Sequence, residues 1–107
     1  AELVSAVPQS LAPEILTPRE LRWMALRRPA IRQVALAVAF SAKESAFKAQ
    51  FPLTGLWLDF HDIELCVSRG AFSAACDALR RYPSLHAMRG RFTLRRGHVF
   101  TGIVVQA

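Results

Sequence analysis

The long apolar stretch between Arg32 and Asp59 limits the fold more than any other part of the sequence. Only three charged side chains interrupt it, namely Lys43, Glu44 and Lys48. Apolar residues are stabilised by leaving water, so this stretch must lie at the centre of a core while it carries three charges within six residues. The two lysines are also the only ones in the chain, whose other basic residues are twelve arginines.

This stretch is predicted to form one long helix. Its apolar residues recur at helical spacing, Pro29 lies just before it, and Pro52 is expected to end it, so the helix should run from about residue 30 to residue 50. Its most apolar run, "VALAVAF", is too short to span a bilayer. One stripe of the helix is expected to pack on the core, and it consists of Ile31, Val34, Val38, Ala42, Ala46 and Ala49.

The residues before this helix predict two shorter helical segments. Residues 1–16 contain two prolines and indicate a loop with a short helix at about 11–16. A second helix should begin after Thr17, because Thr17 can cap it, Pro18 suits its first turn, and Glu20 stands where a capping box needs a carboxylate. Pro29 is expected to end that helix.

The residues after the long helix predict strands. Residues 61–68 alternate in polarity, Arg69 and Gly70 offer a turn, and residues 71–76 can return as a second strand. Residues 77–88 are ambiguous, either a loop or a helical turn. Residues 89–96 and 98–105 flank Gly97 and are typical of a hairpin. The predicted fold class is α+β, with the long helix packed on a mainly antiparallel sheet.

Composition limits the class of protein and its partners. A chain of 107 residues with 52% hydrophobic residues suits one small domain with its own core. Its net charge of +6 favours a polyanionic partner, which could be a nucleic acid, an anionic membrane, an acidic protein or a multiply phosphorylated small molecule. The basic residues are spread along the chain, which argues against a nucleic-acid-binding arm, and no signal-peptide pattern is present.

The cysteines and histidines indicate neither a metal site nor a required disulfide. Cys66 and Cys76 form no CxxC motif, and His61, His86 and His98 are scattered. We interpret the cysteines as reduced core thiols of a cytoplasmic protein, with a disulfide as the alternative.

The three charges of the long helix occupy two neighbouring rows. Phe40, Glu44 and Lys48 are spaced by four and form one stripe, and Lys43 and Phe47 form the next. The simplest interpretation is an exposed Glu–Lys pair that stabilises the helix by about 0.2–0.5 kcal/mol. The apolar surroundings, and the use of lysine in an arginine-rich chain, favour a second interpretation. A carboxylate beside two compact ammonium groups suits a magnesium–pyrophosphate site.

These residues resemble a known family. The segment "FSAKESAFK" is similar to the (F/W)-(S/C)-x-K-E-(S/A)-x-x-K signature of the 4'-phosphopantetheinyl transferases. The continuation "FPLTGLWLDFHDIEL" and the closing "MRGRFTLRRGHVFTGIVV" resemble the bacterial subgroup of the enterobactin synthetase component D and the mycobacterial enzyme, and the similarity covers residues 2–106. That family transfers the phosphopantetheine arm of coenzyme A to a serine of an acyl or peptidyl carrier protein, with 3',5'-ADP as the other product.

The resemblance implies roles for individual residues. Glu44 would bind Mg²⁺, with Mn²⁺ as the alternative metal, and is the leading candidate to help deprotonate the carrier serine. Lys48 would contact the pyrophosphate of coenzyme A, and Lys43 would bind one of its phosphates. The pantetheine channel would be bordered by aromatic residues that could equally be core aromatics, namely Phe40, Phe47 and Trp57.

The resemblance also implies that the chain, residues 1–107, is a C-terminal subdomain. The family has an upstream motif, (I/V)-G-(I/V)-D-x-E, whose acids bind the same metal, and Glu2 matches its last acid. Its aspartate would stand just before Ala1. Larger members consist of two similar halves related by a pseudo-twofold axis, with coenzyme A between them. The expected partners are therefore an N-terminal half, coenzyme A and a carrier protein, without nucleic acid or membrane, and this segment alone should be inactive.

Two other interpretations remain open at this point. The short holo-acyl-carrier-protein synthases have a similar length and act as trimers, but their aspartate motif is separated from the lysine–glutamate motif by a longer gap. The chain could also be a non-catalytic basic module that docks acidic carrier proteins or nucleic acid. Binding of coenzyme A that depends on magnesium would separate an enzyme from such a module.

Overall fold

The computed structural model of the chain describes residues 2–104, and of Glu2 it describes only the backbone. The helices are Ala12–Ile15 (α1), Pro18–Ala25 (α2), Pro29–Thr54 (α3) and Pro83–His86 (α4). The strands are Glu2–Leu3 (β1), Glu64–Ser68 (β2), Ala71–Ala75 (β3), Ala87–Arg95 (β4) and His98–Val104 (β5). Short 3-10 turns lie at Val4–Ala6, Gln9–Leu11, Phe60–Asp62 and Asp77–Leu79.

The start of α2 agrees with the predicted capping box. The Thr17 N–H donates to Glu20 Oε1 at 2.9 Å, and the Glu20 N–H donates to Thr17 Oγ1 at 3.3 Å. Two of the N–H groups that a helix start leaves without helical partners are thereby satisfied. The sequence pattern therefore predicted both the position and the chemistry of this helix start.

The end of α3 differs from the prediction. The helix continues through Pro52 to Thr54. Pro52 removes the N–H that would bond to the Lys48 carbonyl, but both residues are exposed, so water can hydrate that carbonyl. The helix ends at Gly55, whose φ of 69° is left-handed and whose N–H donates to the Phe51 carbonyl at 2.8 Å. The predicted end at residue 50 was wrong because an exposed last turn tolerates a proline.

The predicted core stripe of α3 is correct in its middle and wrong at its start. Val38, Ala42 and Ala46 are buried, and Val34 and Ala49 are partly buried. Ile31 is 42% exposed because it belongs to the first turn, before the buried part of the helix begins. The middle of α3 is also buried outside the stripe, since the sheet and the N-terminal segment both pack against it. These additional buried residues are Leu36, Ala37, Ala39, Ser41 and Lys43.

The strands form one antiparallel sheet in the order β1-β5-β4-β3-β2. The β4–β5 hairpin turns at Arg96 and Gly97, whose φ angles of 50° and 75° suit a two-residue turn that matches the strand twist. Residues 77–88, ambiguous in the sequence, form a 3-10 turn and α4 before β4 begins. The two-residue β1 was not predicted, because it exists only by pairing with β5.

Two clusters of buried side chains form the core. The first joins the N-terminal segment, α1 and α2 to the middle of α3, and its members are Val7, Ala12, Ile15, Leu16, Met24, Leu36, Ala37, Val38, Ala39 and Val99. The second joins the end of α3 to the sheet and to residues 77–88, and its members are Ala46, Leu58, Ile63, Ala74, Cys76, Leu79, Leu85 and Met88. No helix within residues 2–104 combines the length and the hydrophobicity needed to cross a membrane.

The two cysteines differ in environment. Both are free thiols, but only Cys76 is buried. Cys66 is exposed because side chains alternate along a strand, and its neighbour Leu65 takes the core side of β2. The prediction of two core thiols was therefore wrong for Cys66. Burial raises the pKa of the Cys76 thiol.

Candidate functional site

An open pocket of about 300 Å³ lies between the second half of α3 and the segment that follows this helix. Glu44, Phe47 and Lys48 line it from the helix, and residues 57–63 supply the opposite wall. The remaining lining residues are Lys43, Trp57, Leu58, Asp59, Phe60 and Ile63. The pocket therefore gathers the charges of the apolar stretch and two of the aromatic residues singled out in the sequence.

Glu44 and Lys48 reach this pocket with side chains that remain open to solvent. Their side chains are 43% and 77% exposed, and Lys48 Nζ lies 3.9 Å from Glu44 Oε2. An exposed ion pair of this kind contributes only about 0–1 kcal/mol to stability. Each group can therefore exchange its partner for a ligand at little cost, the carboxylate for a cation and the ammonium for an anion.

A cluster of hydroxyl groups holds the rotation of α3 that directs Glu44 to the pocket. Thr101 Oγ1 on β5 donates to the Ser41 carbonyl at 3.2 Å. It can then accept from Ser41 Oγ at 2.9 Å and from Ser45 Oγ at 2.6 Å. Because Ser45 directly follows Glu44 in the helix, these bonds limit how far the carboxylate can turn away from the pocket.

Lys43, which directly precedes Glu44, is fully buried. Its Nζ donates to Glu20 Oε1 at 2.7 Å, to the Ile15 carbonyl at 2.8 Å and to the Phe60 carbonyl at 3.0 Å. An ammonium group has three protons, so these three acceptors satisfy it. Burial lowers the pKa of Lys43, while the hydrogen bond and the charge of Glu20 oppose that shift.

This arrangement differs from the phosphate contact that the resemblance implied for Lys43. The ammonium has no proton left for a phosphate in the pocket, so it would have to break a bond within the protein to reach one. A lysine suits this position because its compact ammonium directs three protons from one nitrogen to acceptors that need not share a plane, whereas the five N–H groups of a guanidinium are larger in extent and all lie in one plane. The choice of lysine over arginine therefore has a structural reason at Lys43, and of the two lysines it is Lys48 that can contact a phosphate.

The sequence analysis missed the partner of Lys43. Glu20 was predicted only as a helix cap, yet its Oε1 accepts from both Thr17 N–H and Lys43 Nζ, and its Oε2 accepts from the Leu65 N–H at 2.6 Å. One weak signal was available, because Glu20 is one of only eight acids in the chain. The pairing itself joins residues far apart in the chain, and no local spacing encodes it.

The three predicted aromatic residues fall in two settings. Phe47 contacts Trp57 edge-on at 4.8 Å and stacks with Phe51 at 5.2 Å between ring centroids. Trp57 is 75% exposed at the mouth of the pocket. Phe40 instead packs on the first core cluster and lies 5.6 Å from the Phe60 ring. Phe47 and Trp57 line the pocket, and Phe40 supports it from behind.

A metal ion would find only part of its ligand shell among the described side chains. No group of three or more acidic, histidine or cysteine side chains in the described part of the chain is arranged to hold a metal. Mg²⁺ is commonly held by one or two carboxylates together with water and substrate phosphates, so the open carboxylate of Glu44 fits as one ligand. The backbone of Glu2 pairs with Val99 on β5, but its side chain lies outside the described part of the structure.

A larger open pocket of about 450 Å³ adjoins the same segment, residues 57–63, and extends to β2, β3 and residues 77–78. It is lined by His61, Asp62, Glu64, Ala75, Asp77 and Ala78. Three carboxylates face it, and their charge would repel a phosphorylated ligand. We therefore place the candidate site in the smaller pocket, where the ammonium of Lys48 accompanies the carboxylates of Glu44 and Asp59.

Two curated proteins resemble the chain along its length. The 4'-phosphopantetheinyl transferase Svp of Streptomyces mobaraensis is 37% identical over 115 residues, which cover 100% of this chain and 46% of that protein. The 4'-phosphopantetheinyl transferase PptT of Mycobacterium tuberculosis is 31% identical over 114 residues, which cover 98% and 50%, respectively. The chain spans about half the length of these relatives.

A solved structure has a similar fold, and a family profile matches the sequence. The crystal structure of Thermotoga maritima holo-[acyl-carrier-protein] synthase (AcpS) aligns with a TM-score of 0.69 and 25% identity, covering 94% of this chain and 57% of that one. This similarity confirms the predicted α+β fold. The profile of the 4'-phosphopantetheinyl transferase superfamily matches residues 1–98. Because the profile matches most of this chain, the chain belongs to the 4'-phosphopantetheinyl transferase superfamily, a family of transferases.

Proposed function

We propose that this chain is the C-terminal subdomain, residues 1–107, of a 4'-phosphopantetheinyl transferase. The parent enzyme would transfer the 4'-phosphopantetheine group of coenzyme A to a serine of an acyl or peptidyl carrier protein and release 3',5'-ADP. The observation that carries this proposal is the pair formed by Glu44 and Lys48. Of the three charges of the apolar stretch, the Glu44 carboxylate and the Lys48 ammonium are open to solvent at the same pocket, which Asp59 also lines, while Lys43 is buried.

The proposed reaction is a phosphoryl transfer at the pyrophosphate of coenzyme A. The serine oxygen forms a bond to the phosphorus that carries pantetheine, and the bond from this phosphorus to the bridging oxygen breaks. The electron pair of that bond leaves with 3',5'-ADP, and the serine proton must be accepted by a base. Glu44 is our leading candidate to help accept it, and Lys48 would offset the charge that develops on the leaving phosphate.

Glu44 would also supply one oxygen ligand to Mg²⁺, or to Mn²⁺ as the alternative metal, with Glu2 as a second ligand. When bound, such an ion neutralises charge on pyrophosphate oxygens. The open carboxylate of Glu44 supports its part in this proposal. The place of Glu2 is supported by its strand, because β1 pairs with β5, which in turn packs against α3.

The apolar side of the pocket suits the pantetheine arm. We propose that Phe47 and Trp57 form the wall along which the arm lies, since both line the pocket and contact each other. Phe40 would support that wall through its contact with Phe60. Lys43 is not among the proposed phosphate ligands, because its protons are used within the protein.

The proposed partners are an acidic carrier protein and the N-terminal half of the parent enzyme, in the cytoplasm, without nucleic acid or membrane. The net charge of +6 supports an acidic partner. We place the parent enzyme near the enterobactin synthetase component D and mycobacterial-type transferases, on the residues quoted above. The alternative function is that of a non-catalytic basic module that docks carrier proteins or nucleic acid. Such a module would bind its partner through the positive charge of the chain, and the pocket would have no role.

The metal role is tested with Glu44→Gln in the parent enzyme. The amide lacks the negative charge that holds a hard cation, so transfer from coenzyme A to a carrier protein should be lost while the fold is retained. Glu14→Gln is the matched control, since it removes one exposed carboxylate from α1. Activity of Glu44→Gln within a few-fold of the control would show that Glu44 is only half of a surface ion pair.

The phosphate role is tested with Lys48→Ala. We expect kcat/KM for coenzyme A to fall by roughly two orders of magnitude, as removal of a charge that stabilises the transition state does. Affinity for the carrier protein should change much less. The opposite outcome, weaker carrier binding with normal use of coenzyme A, would favour the docking module.

A further inference from the structure

Besides the aromatic contacts, a buried lysine with a carboxylate partner links the two walls of the pocket. One wall is α3, and the other is the segment of residues 57–63. The side chain of Lys43 extends from α3, and its Nζ donates to the Phe60 carbonyl in the opposite wall at 3.0 Å. Its charge is balanced by Glu20, which lies 2.7 Å away and is only 10% exposed in its side chain.

Glu20 holds the second wall at a further point. Its Oε2 accepts from the Leu65 N–H at 2.6 Å, just after the segment ends. This N–H lies on β2, which is one of the two edge strands of the sheet. The carboxylate of Glu20 therefore holds residues 57–63 at two points. Within the segment it acts through Lys43, which donates to the Phe60 carbonyl, and beyond the segment it binds the Leu65 N–H directly. Both anchors are buried or nearly so, and an unpaired polar group there would be costly.

We propose that Glu20 is a positioning residue of the transfer reaction, acting through Lys43 and the Leu65 N–H to hold residues 57–63 against α3. This inference rests on the proposed function. Glu20 does not reach the pocket and touches no reacting atom. Its effect is to keep Trp57 and its neighbours at a fixed distance from Glu44 and Lys48. Misplacement of such a wall by a small distance can cost about a hundredfold in rate.

A purely structural role has to be separated from this one, because Glu20 also caps α2. Thr17→Ala provides the matched control. It removes the hydroxyl that caps the same helix, and it leaves the carboxylate with its bonds to Lys43 and to the Leu65 N–H. Glu20→Gln has nearly the same shape as the parent side chain, but its amide nitrogen cannot accept a hydrogen bond and carries no charge.

The kinetic test compares these variants in the parent enzyme. We expect Glu20→Gln to raise the KM for coenzyme A by roughly tenfold to a hundredfold and to leave the KM for the carrier protein nearly unchanged. Thr17→Ala should change neither. Lys43→Met should raise the KM for coenzyme A in the same direction. The double variant should raise it by less than the product of the two single fold-changes, because the two residues share one ion pair while Glu20 has a separate bond to the Leu65 N–H. Equal KM values for Glu20→Gln and Thr17→Ala would overturn the proposal.

A second measurement does not depend on activity. Amide hydrogen exchange of residues 57–65 should accelerate in Glu20→Gln and stay near the parent rate in Thr17→Ala, under conditions where both variants are folded. The same exchange rates in the two variants would leave Glu20 as a helix cap only. A parent enzyme without transfer activity would contradict the proposed function, and the exchange comparison would still decide whether Glu20 holds the wall.

A further variant covers the case in which Glu20→Gln does not fold. Glu20→Asp keeps the charge but shortens the side chain by one methylene, so the carboxylate cannot reach all of its partners at once. It should raise the KM for coenzyme A in the same direction. An unchanged KM together with unchanged exchange at residues 57–65 would contradict the positioning role.

Discussion

Lys43 and Lys48 carry the same charge on one helix but in opposite environments. Five helical positions rotate the side chain by about 140°, which turns Lys43 towards α2 and Lys48 towards the pocket. Removing an ammonium group from water is costly, and the cost is offset at Lys43 by three acceptors and the charge of Glu20. Lys48 keeps its hydration and is available to a ligand.

The stability of the two lysine variants should therefore differ strongly. Lys43→Met leaves Glu20 without its charge partner and two carbonyls without a donor, so the free energy of unfolding should fall by about 3 kcal/mol or more. Lys48→Met should change it by no more than about 0.5 kcal/mol. Urea denaturation of both variants measures the difference. Similar losses for the two would mean that the ion pair of Lys43 is not important for folding.

The two thiols should react at very different rates. At a pH of about 8 a thiol reagent should modify the exposed Cys66 quickly, and it should modify Cys76 only when the chain unfolds. Burial raises the pKa of Cys76, so its thiol stays protonated in the folded state at pH values where the unfolded chain ionises. The protonated, buried thiol therefore makes its full contribution to stability below the ordinary thiol pKa of 9.0, and this contribution is lost as the pH rises further.

This pH effect is measured against Cys76→Ala. Above pH 9.0, the free energy of unfolding of the parent chain should fall more steeply with pH than that of Cys76→Ala. The smaller side chain of the variant costs stability by the same amount at every pH, so it does not affect this comparison of slopes. Rapid labelling of both cysteines in the folded chain would contradict the burial of Cys76.

At the scale of the elements, the sheet depends on one close approach. Gly90 on β4 faces Phe72 on β3, and a Cβ at position 90 would overlap the Phe72 ring and lie 2.6 Å from the Gly102 carbonyl. Phe72 is itself buried, so its ring has little room to move. A Cβ at position 102, on the neighbouring β5, would instead meet no atom within 4 Å.

Gly90→Ala should consequently destabilise the sheet, and Gly102→Ala should not. We expect a loss of about 1–3 kcal/mol for Gly90→Ala, typical of overpacking, and a change within about 0.5 kcal/mol for Gly102→Ala. Thermal or urea unfolding measures both. A neutral Gly90→Ala would show that Phe72 can move aside.

At the scale of the whole molecule, we propose that this chain supplies one side of the site. Glu44 and Lys48 face an open pocket, and the described side chains offer only part of a metal shell. The relatives are about twice as long. Exposed apolar residues at the pocket, among them Trp57 and the Phe51 ring that contacts it, would suit association with another surface.

We therefore expect the 107-residue chain by itself to be inactive. Mixing it with a separately produced N-terminal half should restore transfer of phosphopantetheine from coenzyme A to a carrier protein. The measurement is incorporation of labelled phosphopantetheine, with Glu44→Gln in the same chain as the control that should prevent restoration. Efficient transfer by the isolated chain as a monomer would show that its site is complete.

Features that depend on neighbouring residues were predictable from the sequence. The capping box of Thr17 and Glu20, the length of the central helix to within about one turn and the hairpin around Gly97 follow from local spacing and backbone preference. The exposed stripe of Glu44 and Lys48 follows from helical periodicity. The prediction that the helix ends before Pro52 was wrong, because the cost of a proline within a helix depends on whether the carbonyl left without a hydrogen bond is exposed to water. The local sequence does not specify that exposure.

By itself, the sequence determined the central helix, the two hairpins β2–β3 and β4–β5 and the row of charges, because each of these arises from contacts between residues close together in the chain. Only the tertiary structure decided which lysine is buried. Lys43 and Lys48 are equivalent in an isolated helix, and they become different when α1, α2 and residues 57–63 pack around one side of α3. The partner of a buried charge is chosen by the packing of distant segments, because desolvation forces the charge to find acceptors wherever the fold supplies them.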